Sequence, residues 1–290
     1  MKPRFVPRLG HGMQVVLPPG IVRGARVYAF ALPCDTQAVQ ATVDRFLCKP
    51  SGVKFDVLGS RVLLTFMRAR ELSSTAQNLG WLPDEEAAFW VPLRREGSLI
   101  PEYWLPYVVV DQSIAMATGR EIWGFLKEMG QLRLPKGPKD DAVFTCRATL
   151  FDELGGEGRL KTLVDVRRDG PLGPLRRPFG RRGLLGGLAN ELLEFGVEGQ
   201  EVAMVNLKQF RDAVDPTRAC YQALVRNTCE IVDVRGAGKL PGAWTVRIAD
   251  AASHGVLEDL GLPGGQQTTR AAAWLDMDFT IGPGELLWEA

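Results

Sequence analysis

The amino-acid sequence predicts an α+β protein built mainly from β-strands. Three observations support this class: short stretches rich in Val, Phe, Tyr, Trp and Thr recur along the whole chain, Gly or Pro interrupts most of the gaps between them, and helical patterns are few. Strands and helices do not alternate strictly in this pattern. A doubly wound parallel sheet is therefore not expected.

The predicted strands share a β-branched and aromatic composition. They are expected at 25–32, 53–58, 61–67, 87–93, 103–110, 142–151, 160–167, 221–225, 229–234, 244–249 and 274–281. Helices are expected at three segments, and two of these begin with an aspartate that is suited to cap the helix. They are 35–48 with Asp35 as the N-cap, 111–123 with Asp111 as the N-cap, and 188–195.

The segment from about 170 to 187 is the most loop-like part of the chain, since it is rich in Gly, Pro and Arg. It fits either a linker between two domains or an insertion loop within one. Because strands of similar character lie on both sides, we predict a single domain, 1–290, with a long loop here. Its arginines, at 176, 177, 181 and 182, indicate a solvated loop or a subunit contact rather than a phosphate or nucleic-acid site.

Amino-acid composition and net charge indicate which kinds of molecule the protein is expected to bind. The chain has 46% hydrophobic and 24% charged residues, which are ordinary values for a soluble globular protein. Its 35 basic and 34 acidic residues give a net charge of +1, so neither nucleic acid nor an anionic membrane would be attracted to it by charge. We expect small molecules as partners, and a homo-oligomer.

The number of cysteines and the lengths of the apolar runs indicate the cellular compartment that is expected for the protein. The five cysteines are an odd number with no C-x-x-C spacing, so we expect neither a disulfide framework nor a zinc site. The basic N-terminus is broken by Pro and Gly, and all apolar runs are shorter than a membrane helix requires. A cytoplasmic protein is expected.

The segment 111–130, DQSIAMATGREIWGFLKEMG, contains the strongest candidate for catalysis. Lys127 stands there among Trp123, Phe125, Leu126 and Met129. Desolvation by apolar neighbours disfavours the ammonium form and lowers the pKa of a lysine. A lysine needs such activation to attack a carbonyl, because its ordinary pKa of about 10.4 keeps it protonated at neutral pH.

The same residues allow a purely structural interpretation. Ile122, Phe125, Leu126 and Met129 follow the i, i+3, i+4, i+7 spacing of an amphipathic helix that would end at Gly130. Lys127 would then lie on the solvated face of that helix and take no part in catalysis.

A resemblance favours the catalytic interpretation. The spaced residues of this segment resemble the signature of the acetoacetate decarboxylase family; they are Asp111, Ala115, Ala117, Gly119, Arg120, Glu121 and Lys127. Weaker similarity extends to 207–225 and to the C-terminal segment. The resemblance implies a closed antiparallel barrel-like sheet with short helices, a Schiff base on Lys127 with a small oxo-acid, and no metal or organic cofactor.

The resemblance also implies an acidic residue in the site. Val91 and Pro92, used as the anchor, assign this role to Glu86, whereas Gly80, used as the anchor, assigns it to Asp84. We predict Glu86. The alternative is that the run PDEE at 83–86 is an exposed charged turn.

Three further residues are candidates for binding the substrate. A family arginine near the first strand corresponds in register to Ala25, so the neighbouring Arg26 is the candidate, with Arg23 also close. Arg120 and Glu121 match the signature. They would either contact the substrate or form an ion pair that braces the helix.

Glu128 is the main departure from the family pattern, in which a second lysine follows the Schiff-base lysine. A carboxylate near Lys127 would raise the pKa of its amine. In an extended backbone adjacent side chains point to opposite faces, so we expect Glu128 to point away from the site.

Three functions follow from this pattern. The leading one is decarboxylation of a 3-oxo acid such as acetoacetate. A Schiff-base aldolase or dehydratase acting on pyruvate-like oxo-acids is the first alternative, and Glu128 favours it. The second alternative is a non-catalytic small-molecule-binding or scaffolding protein.

Overall fold

The computed structural model describes residues 5–6, 15–77, 80–137, 143–170 and 200–290. The predicted helix 188–195 and the predicted loop beyond Gly170 lie outside these ranges. Across the described part of the chain no helix is both long enough and apolar enough to span a membrane.

Strands dominate the described residues, as predicted. They are β1 (Gly20–Pro33), β2 (Phe55–Val57), β3 (Arg61–Ser74), β4 (Leu82–Arg95), β5 (Glu102–Val110), β6 (Lys127–Met129), β7 (Gln131–Arg133), β8 (Val143–Leu150), β9 (Arg159–Asp169), β10 (Glu201–Arg211), β11 (Ala219–Lys239), β12 (Ala243–Ile248), β13 (Gln266–Thr269), β14 (Ala272–Ile281) and β15 (Glu285–Glu289).

Helices are few and short, as the sequence predicts. They are α1 (Thr36–Val43), α2 (Lys49–Ser51), α3 (Ser113–Thr118) and α4 (Val256–Asp259), with π-helical turns at Asp44–Cys48 and Gly119–Trp123. Asp35 caps α1, since its carboxylate accepts hydrogen bonds from the amides of Gln37 and Ala38. The cap predicted at Asp111 is wrong: the N-cap of α3 is Gln112. Asp111 instead accepts a hydrogen bond from the Glu85 amide and so braces β4.

The larger sheet closes into a ring. Its strands follow the order β2-β4-β3-β1-β14-β11-β10-β5-β6, and an additional pairing of β4 with β5 joins the two sides. The predicted barrel-like closure is therefore confirmed. The sheet is mixed rather than purely antiparallel, because β5 pairs in parallel with both β10 and β6.

A second sheet, in the order β13-β12-β9-β8-β7, packs against the ring and was not predicted. Aromatic side chains form the contact between the two sheets. The Phe144 ring lies 5.2 Å from the rings of both Phe30 and Phe66, and Trp244 lies 5.3 Å from Phe30. All four side chains are buried, so this contact forms much of the main core.

The differences from the predicted strands have local causes. The segments 221–225 and 229–234 belong to one strand, β11, whose pairing with β14 shifts register after Ile231 and again after Val234. Such irregularities break the alternation by which a strand is recognised. Five strands were not predicted. Four of them, β6, β7, β13 and β15, have three to five residues, too few for a period of two to stand out. The fifth, β10, has eleven residues, but its buried residues 202–206 are consecutive and do not alternate with exposed ones.

Candidate active site

Lys127 lies on a strand rather than on a helix. The π-helical turn Gly119–Trp123 ends at Gly124, whose φ of 82° is left-handed and favours glycine. The chain then enters β6, where Lys127 is the register partner of Val108 on β5. The interpretation of Ile122 to Met129 as an amphipathic helix is therefore wrong. The Lys127 side chain is only 14% exposed.

Gly119 of the signature leaves room for the lysine side chain. A Cβ atom built at this position would lie 2.6 Å from Cδ and 2.8 Å from Cε of Lys127. The backbone of Gly119 has ordinary right-handed helical angles, so its conformation does not require glycine. Close approach of the Lys127 side chain is what requires it.

Two carboxylates share the face of the sheet on which the Lys127 amine lies. Lys127 Nζ donates a hydrogen bond of 2.7 Å to Glu86 Oε2. Asp84 stands two residues before Glu86 on β4, and both line the same cavity, as the period of a strand requires. The segment 83–86 is thus a strand and not an exposed turn. Glu86 and Asp84, treated as alternatives from the sequence, come together here.

Asp84 is the more deeply buried of the two carboxylates. It is 4% exposed, and among the described residues its Oδ1 atom has no hydrogen-bond partner. Burial raises the pKa of Asp84 to about 7, with Lys127 opposing this shift and Glu86 adding to it. Asp84 can therefore hold a proton near neutral pH and release it there.

The electrostatics of Lys127 differ from the sequence expectation. Burial by itself lowers the pKa of the amine, but the negative charges of Glu86 and Asp84 raise it, and the net direction is upward from the ordinary value. The amine therefore rests as an ammonium ion, paired with Glu86. Its activation requires that a proton leave along this hydrogen bond.

The amine faces a largely apolar cavity of about 150 Å³ inside the ring. Aliphatic, aromatic and thioether side chains from β1, β3, β10, β11 and β14 form most of its wall. Cys229 also lines it, and burial raises the pKa of this thiol to about 12, so it stays protonated. No sequence pattern indicated Cys229, since this cysteine lies far along the chain from the lysine segment.

The predicted substrate-binding residues do not line this cavity. Arg26 forms a bidentate ion pair with Asp276, in which both N–O distances are 2.6 Å. Its neighbour Val27 faces the cavity instead. Arg120 is exposed and donates to the backbone carbonyl of Lys127 at 3.2 Å. Glu121 is exposed. No arginine is among the described residues that line the cavity.

Glu128 points away from the cavity, as strand alternation predicts. Its Oε1 atom is 2.9 Å from Nε2 of His254, whose Nδ1 atom is 2.8 Å from Oγ of Ser253. This polar cluster lies on the opposite side of β6 from the amine of Lys127. Glu128 therefore does not share the cavity with Lys127.

Comparison with solved structures finds the same fold. An acetoacetate decarboxylase from Legionella pneumophila superposes with a TM-score of 0.67 at 16% identity, covering 99% of this chain and 92% of that one. An acetoacetate decarboxylase-like enzyme from Sphingomonas wittichii RW1 gives 0.62 at 16%, covering 95% of each chain. The enduracididine biosynthesis enzyme MppR, complexed with pyruvate, gives 0.58 at 14%, covering 96% and 93%.

Sequence comparison agrees with the fold. No curated protein sequence matches the chain significantly. The profile of the family described as acetoacetate decarboxylase (ADC) matches residues 10–169, which is more than half of the 290 residues and includes Asp84, Glu86 and Lys127. The chain therefore belongs to the acetoacetate decarboxylase family.

Proposed function

We propose that this protein is a Schiff-base-forming lyase that decarboxylates a 3-oxo acid, of which acetoacetate is the simplest. The observation that supports this proposal is the buried Lys127 amine, held 2.7 Å from Glu86 at the wall of an apolar cavity. The same burial argues against the non-catalytic alternative, for which a solvated lysine would be expected.

The first step frees the amine. Glu86 accepts a proton from the Lys127 ammonium ion along their hydrogen bond, and the neutral amine attacks the ketone carbon. The resulting carbinolamine loses its hydroxyl group as water when Glu86 returns the proton to that oxygen. An iminium ion remains on Lys127, and the carboxylate of Glu86 balances its charge.

The second step breaks the carbon–carbon bond. The electron pair that bonds the carboxylate to the substrate moves to the iminium nitrogen as carbon dioxide leaves, which gives a neutral enamine. Asp84 donates a proton to the enamine carbon, a role that suits an acid with a pKa of about 7. Water then hydrolyses the new iminium ion, so that the ketone leaves and the ammonium ion of Lys127 is restored, and Asp84 takes up a proton from solvent.

A second candidate shares the iminium and the enamine. With a pyruvate-like acid the enamine would form when the methyl group of the iminium ion loses a proton rather than when carbon dioxide leaves. The enamine carbon would then attack an aldehyde, which would make the protein an aldolase or dehydratase. The similarity to MppR, solved with the condensation product of pyruvate and imidazole 4-carboxaldehyde, favours this candidate. The position of Glu128 does not favour this candidate, because this residue lies outside the cavity.

Release of carbon dioxide from a 3-oxo acid tests the proposal. We expect turnover by the wild type, and only the spontaneous rate with Lys127→Ala. The exposed Lys54, which pairs with Glu96, provides a matched control as Lys54→Ala and should keep full activity. Undiminished turnover in Lys127→Ala would contradict the proposal. Consumption of pyruvate plus an aldehyde without carbon dioxide release would favour the second candidate.

A further inference from the structure

The charged groups of the cavity are gathered at one end. Asp84 and Glu86 lie near the start of β4, and Trp90, which also lines the cavity, stands four residues beyond Glu86 on the same strand. Four residues span roughly 13 Å of a strand. The cavity thus extends well beyond the amine, away from both carboxylates.

Two small side chains face each other at the far end of the cavity. Ala29 on β1 and Ala273 on β14 are direct register partners, and both line the cavity, with Leu63 and Leu275 beside them. Among the described residues of the lining, Lys127 is the one cation. A second negative charge on a bound molecule would therefore lie unpaired among apolar side chains, which is costly.

We infer that the group attached to the reacting carbonyl is an apolar chain or ring much larger than the methyl group of acetoacetate. This inference rests on the proposed function and specifies its substrate class. An apolar cavity of 150 Å³ can hold a molecule of the size of benzene, so about six carbons fit here. The iminium ion on Lys127 is already balanced by Glu86, and no charge is left for a distal anion.

Neutral methyl ketones, the products of the proposed reaction, test chain length without involving the substrate carboxylate. Lys127 is trapped with borohydride in the presence of acetone, 2-pentanone, 2-octanone or 4-phenyl-2-butanone, and the concentration for half-labelling is measured by mass spectrometry. Each methylene that enters the cavity should lower this concentration about fourfold. We expect 2-octanone and 4-phenyl-2-butanone to label at concentrations at least tenfold lower than acetone.

A charged probe of equal length tests the apolar character of the far end. The ion 7-oxooctanoate has the same carbon count as 2-octanone but ends in a carboxylate. We expect it to need at least a tenfold higher concentration than 2-octanone for half-labelling. Equal or better labelling by 7-oxooctanoate would overturn the inference, because it would reveal a cation that receives the distal group.

Filling the far end tests where the chain binds. Ala273→Leu and Ala29→Leu should each reduce the preference for 2-octanone over acetone at least fivefold. Ala219→Leu adds the same volume at an exposed position of β11 and should leave the preference unchanged. If both cavity variants kept the wild-type preference while remaining folded by circular dichroism, the inference would be wrong.

The labelling results distinguish failure of this inference from failure of the proposed function. Labelling of Lys127 by none of the carbonyl compounds would contradict the proposed Schiff base itself. Labelling by acetone at the same concentration as by 2-octanone would leave the Schiff base intact and overturn the inference about the apolar chain.

Discussion

Lys127 and Glu86 meet across a strand that separates them. Glu86 on β4 is the register partner of Val110 on β5, and Lys127 on β6 is the partner of Val108 on the same strand. The lysine side chain spans this intervening strand to reach the carboxylate at 2.7 Å. The contact therefore depends on the pairing of β4 with β5, which is also the pairing that closes the ring.

Neutralising Glu86 should impair catalysis strongly. Glu86→Gln removes the group that takes the proton from Lys127, and we expect kcat to fall by about 10²- to 10⁴-fold. The matched control is Glu85→Gln, since Glu85 is adjacent in sequence but is not part of the cavity wall, and pairs with Arg68. Equal losses in both variants would indicate a structural effect rather than proton transfer.

Asp84 should make the stability of the folded protein depend on pH. Its pKa is 3.8 in an ordinary environment and about 7 when folded, so the folded state holds the proton more tightly. The stabilisation that protonated Asp84 contributes to the folded state is fully present below pH 4 and is lost as the pH rises through 7. A rise of about three units corresponds to as much as about 4 kcal/mol.

Asp84→Asn should remove this dependence. Urea unfolding between pH 4 and 8 is expected to give a flatter profile for the variant than for the wild type, with the variant relatively more stable at the alkaline end. Parallel profiles for the two proteins would mean that Asp84 is ionised normally in the folded state.

Glu128→Gln should leave the acidic limb of the pH–activity profile nearly unchanged. The carboxylate contacts His254 on the side of β6 opposite to the amine, so its charge acts weakly on Lys127. A carboxylate inside the cavity could shift the pKa of the lysine by about 1 to 3 units. Turnover measured against pH decides this, and a downward displacement of a full unit would count against the outward orientation of Glu128.

Adding one methyl group at Gly119 should impair activity more than stability. The new Cβ would overlap Cδ and Cε of Lys127, and this side chain can shift without disturbing the backbone. Misplacement of a catalytic group by about 1 Å can cost about 10² in rate. We expect Gly119→Ala to lose about that factor in kcat while its melting temperature changes little. Gly264→Ala, where a Cβ meets no neighbour within 4 Å, is the control.

The sequence predicted those parts of the site that depend on local pattern. The resemblance of the segment from Asp111 to Lys127 to a family signature pointed to the lysine, and alternation along a strand predicted the outward orientation of Glu128. Asp84 and Glu86 were treated as alternatives because the two anchors, Val91–Pro92 and Gly80, gave different registers. Once this segment is known to begin β4, the period of two brings both carboxylates to one face.

Other features depend on contacts between distant segments. Cys229 and Ala273 reach the cavity only because β11 and β14 form its opposite wall, and this follows from the closure of the ring. The net pKa of Lys127 was predicted in the wrong direction for the same reason. Its apolar flanks in sequence indicated desolvation, whereas the carboxylates that oppose it come from a strand about forty residues away, Lys127 and Glu86 being separated by 41 positions.

Covalent trapping tests whether Lys127 forms the Schiff base. The protein is incubated with a 3-oxo acid or its ketone product, reduced with borohydride and digested, and the modified residue is located by mass spectrometry. We expect a single reduced adduct on Lys127 that is absent from Lys127→Ala and undiminished in Lys54→Ala. An adduct on any other lysine with Lys127 unmodified, or wild-type labelling of the Lys127→Ala variant, would contradict this expectation.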